Sequence, residues 1–183
     1  MALVGQSRPE PDWLPVLEAP RDLSHRLTLP RPRQPGPELE VRGRVVRADG
    51  KTPAAGVIIY FHHTDARGIY PSPQSATGWA RFHGTIRGWL KTNAQGEFVL
   101  RTTRPAPYPG GTEPAHIHAY GLAPGSRSGF FFEDILFEGD PLINESHWQR
   151  VRRFGTQPYK GMRVRRGADG MLRGQWTLRM PAQ

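Results

Sequence analysis

The sequence predicts an all-β fold: an antiparallel β-sandwich with long loops, one short helix and a proline-rich N-terminal arm. Three observations predict it. The 183 residues include 19 prolines and 21 glycines, which suits many short strands joined by tight turns better than a helical protein. The apolar runs are short, and several alternate with polar residues. Only one segment carries helix signals at both ends. The length fits one domain with an arm and suffices to bury a core.

The elements follow in chain order. Residues 1–37 read as the arm, because Pro9, Pro11, Pro15, Pro20, Pro30, Pro32, Pro35 and Pro37 forbid long regular structure. Within it, Trp13, Leu14, Val16 and Leu17 are too apolar for a free tail and are expected to lie on the domain or on a partner subunit. The sandwich domain is expected over residues 38–183. Leu39 to Arg47 reads as a strand closed by the turn Ala48-Asp49-Gly50-Lys51. Val57 to Phe61 is a continuous apolar run, as in a strand buried on both faces. Residues 64–86 read as an irregular loop that lines a pocket. Trp89 to Thr92 and Glu97 to Thr103 read as a hairpin around Asn93-Ala94-Gln95-Gly96. Strands are expected from Ala115 to Tyr120, from Phe130 to Phe137 and from Arg173 to Met180, the last entered through Asp169-Gly170. In the helix, Asn144 is the cap and Glu145 lies in the first turn. Arg150, Arg152 and Arg153 favour the last turn, Gly155 ends it, and Trp148, Val151 and Phe154 form an apolar stripe.

Composition removes several classes of chemistry. With no cysteine there is no disulfide, no iron–sulfur cluster and no thiolate zinc site. A protein-bound metal must use histidine, carboxylate, phenolate or carbonyl. The net charge of +9 comes from arginines spread along the chain, with local clusters only at Arg150 to Arg153 and Arg163 to Arg166. No zinc finger, helix-turn-helix or RNP-like aromatic signature accompanies them, so the charge reads as a solvated face and no nucleic-acid partner is expected. No window reaches transmembrane length, no apolar run of signal-peptide length follows Met1, and a cytoplasmic protein without a membrane partner is expected.

The chemistry concentrates in Pro114-Ala115-His116-Ile117-His118, which begins six residues after the Tyr108 of Pro107-Tyr108-Pro109. On an extended strand, side chains alternate, so His116 and His118 share a face and Ile117 takes the other. Taken singly, Tyr70 and Tyr108 read as core or rim aromatics, and a His-x-His pair also serves cupins and zinc hydrolases. Together, two imidazoles and two phenols form a set suited to ferric iron. Among the other histidines, His62 and His63 read as satisfied structural residues, His83 as a weaker pocket candidate, and His25 and His147 as surface or arm residues. Phe130 to Phe132 reads as core, and Glu138 and Asp140 as turn residues.

From about Glu38 to Asn144 the chain resembles the intradiol ring-cleavage dioxygenases, particularly their protocatechuate 3,4-dioxygenase branch. The resemblance rests on Gly43-Arg44-Val45-Val46, Gly68-Ile69-Tyr70, Thr92-Asn93-Ala94-Gln95-Gly96, Pro107-Tyr108-Pro109, Pro114 to His118 and Phe137-Glu138-Gly139-Asp140-Pro141-Leu142, in family order. It implies a non-haem Fe(III) centre held by Tyr70 and His116 as equatorial ligands and by Tyr108 and His118 as axial ligands. Two phenolates and a hydroxide would balance the charge of the metal. The implied reaction cleaves a catechol-type ring between its hydroxyl-bearing carbons with O2, giving a muconate-type diacid. Tyr108 is the phenolate expected to leave the metal and accept a substrate proton. Relatives assemble as oligomers, so a homo-oligomer is implied, and residues 13–17 are a candidate for mediating it.

Two positions depart from the family pattern. Glu113 stands where the family has an arginine, and Asp134 where it has a glutamine. Gly110 replaces a residue that is often tryptophan. One explanation keeps ring cleavage and draws the missing cation from Arg81, Arg87 or Arg101. Another keeps the iron and changes the substrate: two acids repel a carboxylated catechol and favour a neutral or cationic one. A third pairs the acids with arginine in a purely structural role. The alternatives to a catechol dioxygenase are an iron enzyme with a non-catechol substrate and a non-catalytic binding module. The candidate catalytic residues are therefore Tyr108, Arg81, Glu113 and Asp134.

Overall fold

The computed structural model describes residues 11–152 and 157–182. Ten strands form two facing sheets: β1 (Arg26–Thr28), β2 (Glu38–Val46), β3 (Ile58–His62), β4 (Arg87–Lys91), β5 (Glu97–Thr103), β6 (His116–Leu122), β7 (Phe130–Phe131), β8 (Ile135–Leu136), β9 (Val164–Arg166) and β10 (Leu172–Arg179). The first sheet runs β1-β5-β2-β10-β9 and the second β4-β3-β6-β7, with β8 also paired to β6. The all-β sandwich is as expected. Most pairings are antiparallel, but β10 runs parallel to β2 over eight registered pairs and β1 runs parallel to β5.

The core lies between the sheets. Leu39, Val41 and Val45 of β2, Phe98 and Leu100 of β5 and Leu178 of β10 meet Ile59 and Phe61 of β3, Leu90 of β4 and Ile117 and Ala119 of β6. Alternation then sends Tyr60 and His62 of β3 and His116, His118 and Tyr120 of β6 to the outer side of the second sheet. There Tyr60 and Tyr120 pack in a second cluster with Val16, Trp13 and Trp89.

The apolar piece of the arm lies on its own domain. It forms a short 3₁₀ turn at Leu14–Glu18, buries Val16 completely, and accepts a hydrogen bond at the Pro15 carbonyl from Trp89 Nε1 at 2.8 Å. Two short strands, β1 and β9, escaped the sequence reading because three residues give no usable period.

Three local expectations are corrected. The Asn93–Gly96 turn does not close a hairpin: β4 pairs with β3 in the second sheet and β5 with β2 in the first, so the turn carries the chain from one sheet to the other. The loop over residues 64–86 contains a short helix, α1 (Trp79–His83). The expected strand from Phe130 to Phe137 breaks at Phe132 to Asp134, so that β7 and β8 pair separately with β6. Helix α2 (Glu145–Arg152) forms as expected, with Asn144 Oδ1 accepting from the His147 amide at 3.1 Å. The expected end of that helix at Arg153, Phe154 and Gly155 lies outside the described residues. Among those described, no helix is long and apolar enough to cross a membrane.

Candidate metal centre

Two loops and β6 deliver the four residues. The Tyr70 loop is shaped by Asp65, which is buried. Its carboxylate accepts from the amides of Arg67 (2.8 Å) and Ile69 (3.2 Å), and it pairs with the Arg67 guanidinium. Burial alone would raise this carboxyl, and the bonds from Arg67 and Ile69 hold it below its ordinary value. The loop is laced to the Tyr108 segment: Thr64 Oγ1 donates to the Ala106 carbonyl at 2.8 Å, and the Ala106 amide donates to the Asp65 carbonyl at 3.1 Å. Gly68 makes this contact possible. Its φ of 75° is left-handed, and a Cβ there would lie 1.8 Å from the Pro107 carbonyl oxygen. On β6, the Ala115 amide donates to Asp140 Oδ2 at 3.0 Å, which anchors the strand just before His116.

The donor atoms converge. Tyr108 Oη lies 2.6 Å from Tyr70 Oη, 3.1 Å from His116 Nε2 and 3.3 Å from His118 Nε2, and the two imidazole nitrogens are 3.0 Å apart. The tautomers follow from the partners on the far edges. His116 Nδ1 faces the Pro114 carbonyl at 2.7 Å, and His118 Nδ1 faces Asp134 Oδ1 at 2.8 Å. Both partners only accept, so both Nδ1 atoms carry the proton and both Nε2 atoms present lone pairs to the centre. The Tyr108 hydroxyl can donate to only one of them. The cluster therefore lacks one positive centre, which an added proton or a metal ion supplies.

The surroundings fit a cation of high charge. Burial, reinforced by the Tyr108 phenol beside it, pushes the Tyr70 phenol well above its ordinary value, so an ionised Tyr70 needs a cation close by. Burial also lowers His116, keeping the imidazole neutral as a ligand requires. His116, His118 and Asp134 offer potential ligand atoms within 4.8 Å of one another. Asp134, however, lies behind His118, on its Nδ1 edge, and orients the ring from there. Burial alone would raise the Asp134 carboxyl, but the charge and hydrogen bond of His118 hold it below its ordinary value.

A pocket of about 670 Å³ opens beside Tyr108, His116 and His118. That volume is in the range of small-molecule sites. The departures noted in the sequence now have partners. Glu113 accepts from Arg150 Nε at 2.9 Å and from His147 Nδ1 at 3.1 Å, and Arg150 also donates to the Thr112 carbonyl. Arg150, on α2, is the arginine that lines the pocket. Of the three cations considered from sequence, Arg101 pairs with Glu40 in the first sheet at 2.8 Å and Arg87 lies over the Trp89 ring. Arg81 sits on α1 and is not among the pocket-lining residues. Gly110 has open space where a Cβ would project.

The histidines are reassigned in part. His147, expected at the surface, is buried beneath Glu113. His63 is satisfied by the Thr64 carbonyl and Thr102 Oγ1. His62 is buried with no hydrogen-bond partner on either ring nitrogen, and burial pushes it well below its ordinary value. It stacks on His83 at 3.8 Å and on His118 at 4.6 Å, forming the floor under the centre. His83 is fully buried in that stack, outside the pocket lining. Sequence reasoning missed Arg150 because its place at the end of a helix already had an explanation in the helix dipole. Asp65 carried the weak signal of an acid two residues before Arg67 in a turn.

Comparison with known proteins places the chain among relatives. A family model described as Dioxygenase matches residues 10–155. Catechol 1,2-dioxygenase 1 of Acinetobacter lwoffii is 31% identical over 121 residues, covering 57% of this chain and 37% of that enzyme. Catechol 1,2-dioxygenase 2 of the same organism is 30% identical over 125 residues, covering 60% and 43%. The chain thus spans less than half of either enzyme. The dioxygenase domain of a dioxygenase–carbohydrate-binding protein fusion from Streptomyces sp. SirexAA-E superposes with a TM-score of 0.63 at 27% identity, covering 90% of this chain and 92% of that one. Catechol 1,2-dioxygenase from Acinetobacter sp. ADP1 shares the fold, with a TM-score of 0.63 at 19% identity over 85% of this chain and 56% of its own.

Proposed function

This chain belongs to the intradiol ring-cleavage dioxygenase family, and we propose that it cleaves a catechol-type aromatic between its two hydroxyl-bearing carbons with O2, giving a muconate-type diacid. The convergence of two phenols and two imidazole lone pairs at the wall of a 670 Å³ pocket carries this reading. Tyr70, Tyr108, His116 and His118 are the residues that would hold Fe(III): phenolates are hard anionic donors that favour the ferric state, and neutral imidazoles complete the set. When bound, the ion would supply Lewis-acid chemistry that activates a diol ring toward O2.

The protein's own groups have distinct tasks. Tyr108 Oη touches the other three donors and lines the pocket, so it is the base placed to take a proton from an incoming diol hydroxyl. Asp134 and the Pro114 carbonyl hold both histidines in the tautomer that offers Nε2. Phe132, Leu136 and Tyr120 give the pocket an apolar side against which an aromatic ring can lie. Glu113 and Arg150 neutralise one another at the edge of the same pocket.

Protein purified with ferric iron is expected to be coloured by tyrosinate-to-iron charge transfer and to hold one iron per chain. Anaerobic catechol should move the band to longer wavelength, and admission of O2 should then consume the gas and yield a diacid seen by mass spectrometry. Tyr108→Phe and His116→Ala should each lose most of the band or of the turnover. A colourless protein that takes up no iron, or variants with wild-type colour and turnover, would show the reading to be wrong.

A further inference from the structure

We propose that the pocket selects catechols carrying a positively charged alkylamine side chain, with Glu133 as the counter-ion and Phe131 as the aromatic wall. The inference rests on the catechol reading above and adds the class of side chain.

Charge around the pocket runs against the charge of the chain. Lysine and arginine outnumber aspartate and glutamate by 25 to 16 overall. Yet the formally charged residues that line the pocket are Asp12, Glu113, Glu133, Asp134 and a single base, Arg150. The base is committed, since Arg150 donates to Glu113 and to the Thr112 carbonyl. Two of the acids are committed as well, Glu113 to Arg150 and His147 and Asp134 to His118.

Glu133 differs from these. It lies where the chain breaks between β7 and β8, and it makes no hydrogen bond or ion pair among the described residues. Burial raises its carboxyl above the ordinary value, against the opposing pull of Arg179. Glu133 is also exposed, so an unpaired carboxylate is open to an arriving cation, with an attraction limited by solvent to the modest factors expected below. Two residues earlier, Phe131 lines the same pocket and is 55% exposed, with its ring edge-on to Tyr120 at 5.2 Å. A carboxylate and an exposed aromatic ring lining one pocket are the combination that recognises an ammonium group. A carboxylated side chain in that place would meet Glu133 as a like charge.

The test uses three catechols of similar shape and different charge: dopamine, 4-ethylcatechol and 3,4-dihydroxyphenylacetate. Each is titrated anaerobically into the iron-loaded full chain at low ionic strength, with affinity read by calorimetry and by the visible band. Dopamine is expected to bind tighter than 4-ethylcatechol by roughly threefold to tenfold, and the acid to bind weaker by a similar factor. Glu133→Gln, at an exposed position, should bring the three affinities within about twofold while leaving 4-ethylcatechol unchanged. Phe131→Ala should weaken dopamine alone. If 4-ethylcatechol binds but the charge order is missing, or survives Glu133→Gln, this inference is overturned and the catechol reading stands. If none of the three binds, both are overturned.

Discussion

At the scale of single residues, the candidate centre divides into what period-two alternation dictates and what only packing decides. His116 and His118 share a face because one residue separates them on a strand, and that was legible in the sequence. The lone pairs they offer are set by partners that no local pattern announces: Pro114, two residues back, and Asp134, sixteen residues on. Asp134 could be marked from sequence as an unusual acid, but its role behind His118 could not. Asp134→Asn keeps an acceptor oxygen for Nδ1 and removes the charge. Iron retention in a chelator competition is expected to fall about tenfold to a hundredfold. The visible band should shift, with an unchanged circular dichroism spectrum. An unshifted band with wild-type retention would show Asp134 to be a bystander. The Glu113 departure resolves differently, because its compensating cation, Arg150, comes from a helix whose docking depends on the whole fold.

At the scale of elements, the two tyrosine loops behave as one unit. The Asp65 turn and the Ala106–Tyr108 segment share one backbone hydrogen bond, one from the Thr64 hydroxyl, and the close approach at Gly68. Gly68→Ala adds a Cβ against the backbone of Pro107 at a positive φ, so the segments must separate. Stability should fall by roughly 1–3 kcal/mol in a urea titration. Iron affinity should fall with it, because the separation of the Tyr70 and Tyr108 oxygens is set by this contact. A variant with wild-type stability and iron content would disprove the coupling. Strands β2, β3, β6 and β10 could be read from apolar patterning. The turn at Asn93–Gly96 was found too, but its destination was not. A tight turn looks the same locally whether the next strand pairs with the last or crosses to the facing sheet.

At the scale of the whole molecule, the sandwich separates packing from chemistry. One side of the second sheet faces the core, and its other side carries the centre and the aromatic cluster covered by the 3₁₀ turn at Leu14–Glu18. The fold class followed from composition and run length. The covering role of the N-terminal segment did not, since its apolar residues suit a partner subunit equally well. Val16 is completely buried against Tyr60 and Tyr120. Val16→Ala is expected to lower stability by about 1–2 kcal/mol, a fall in Tm of roughly 3–6 °C. If Tm does not move, the turn is not bound to the sheet in solution. The parallel pairing of β10 with β2 has its own consequence. A nascent chain can assemble the sheet that carries the candidate centre while β2 still has one bare edge, and that edge waits until β10 (Leu172–Arg179) has been made. Closure of the sandwich is therefore a late, long-range event, and the interval before it is when this protein is most exposed to aggregation through that open strand.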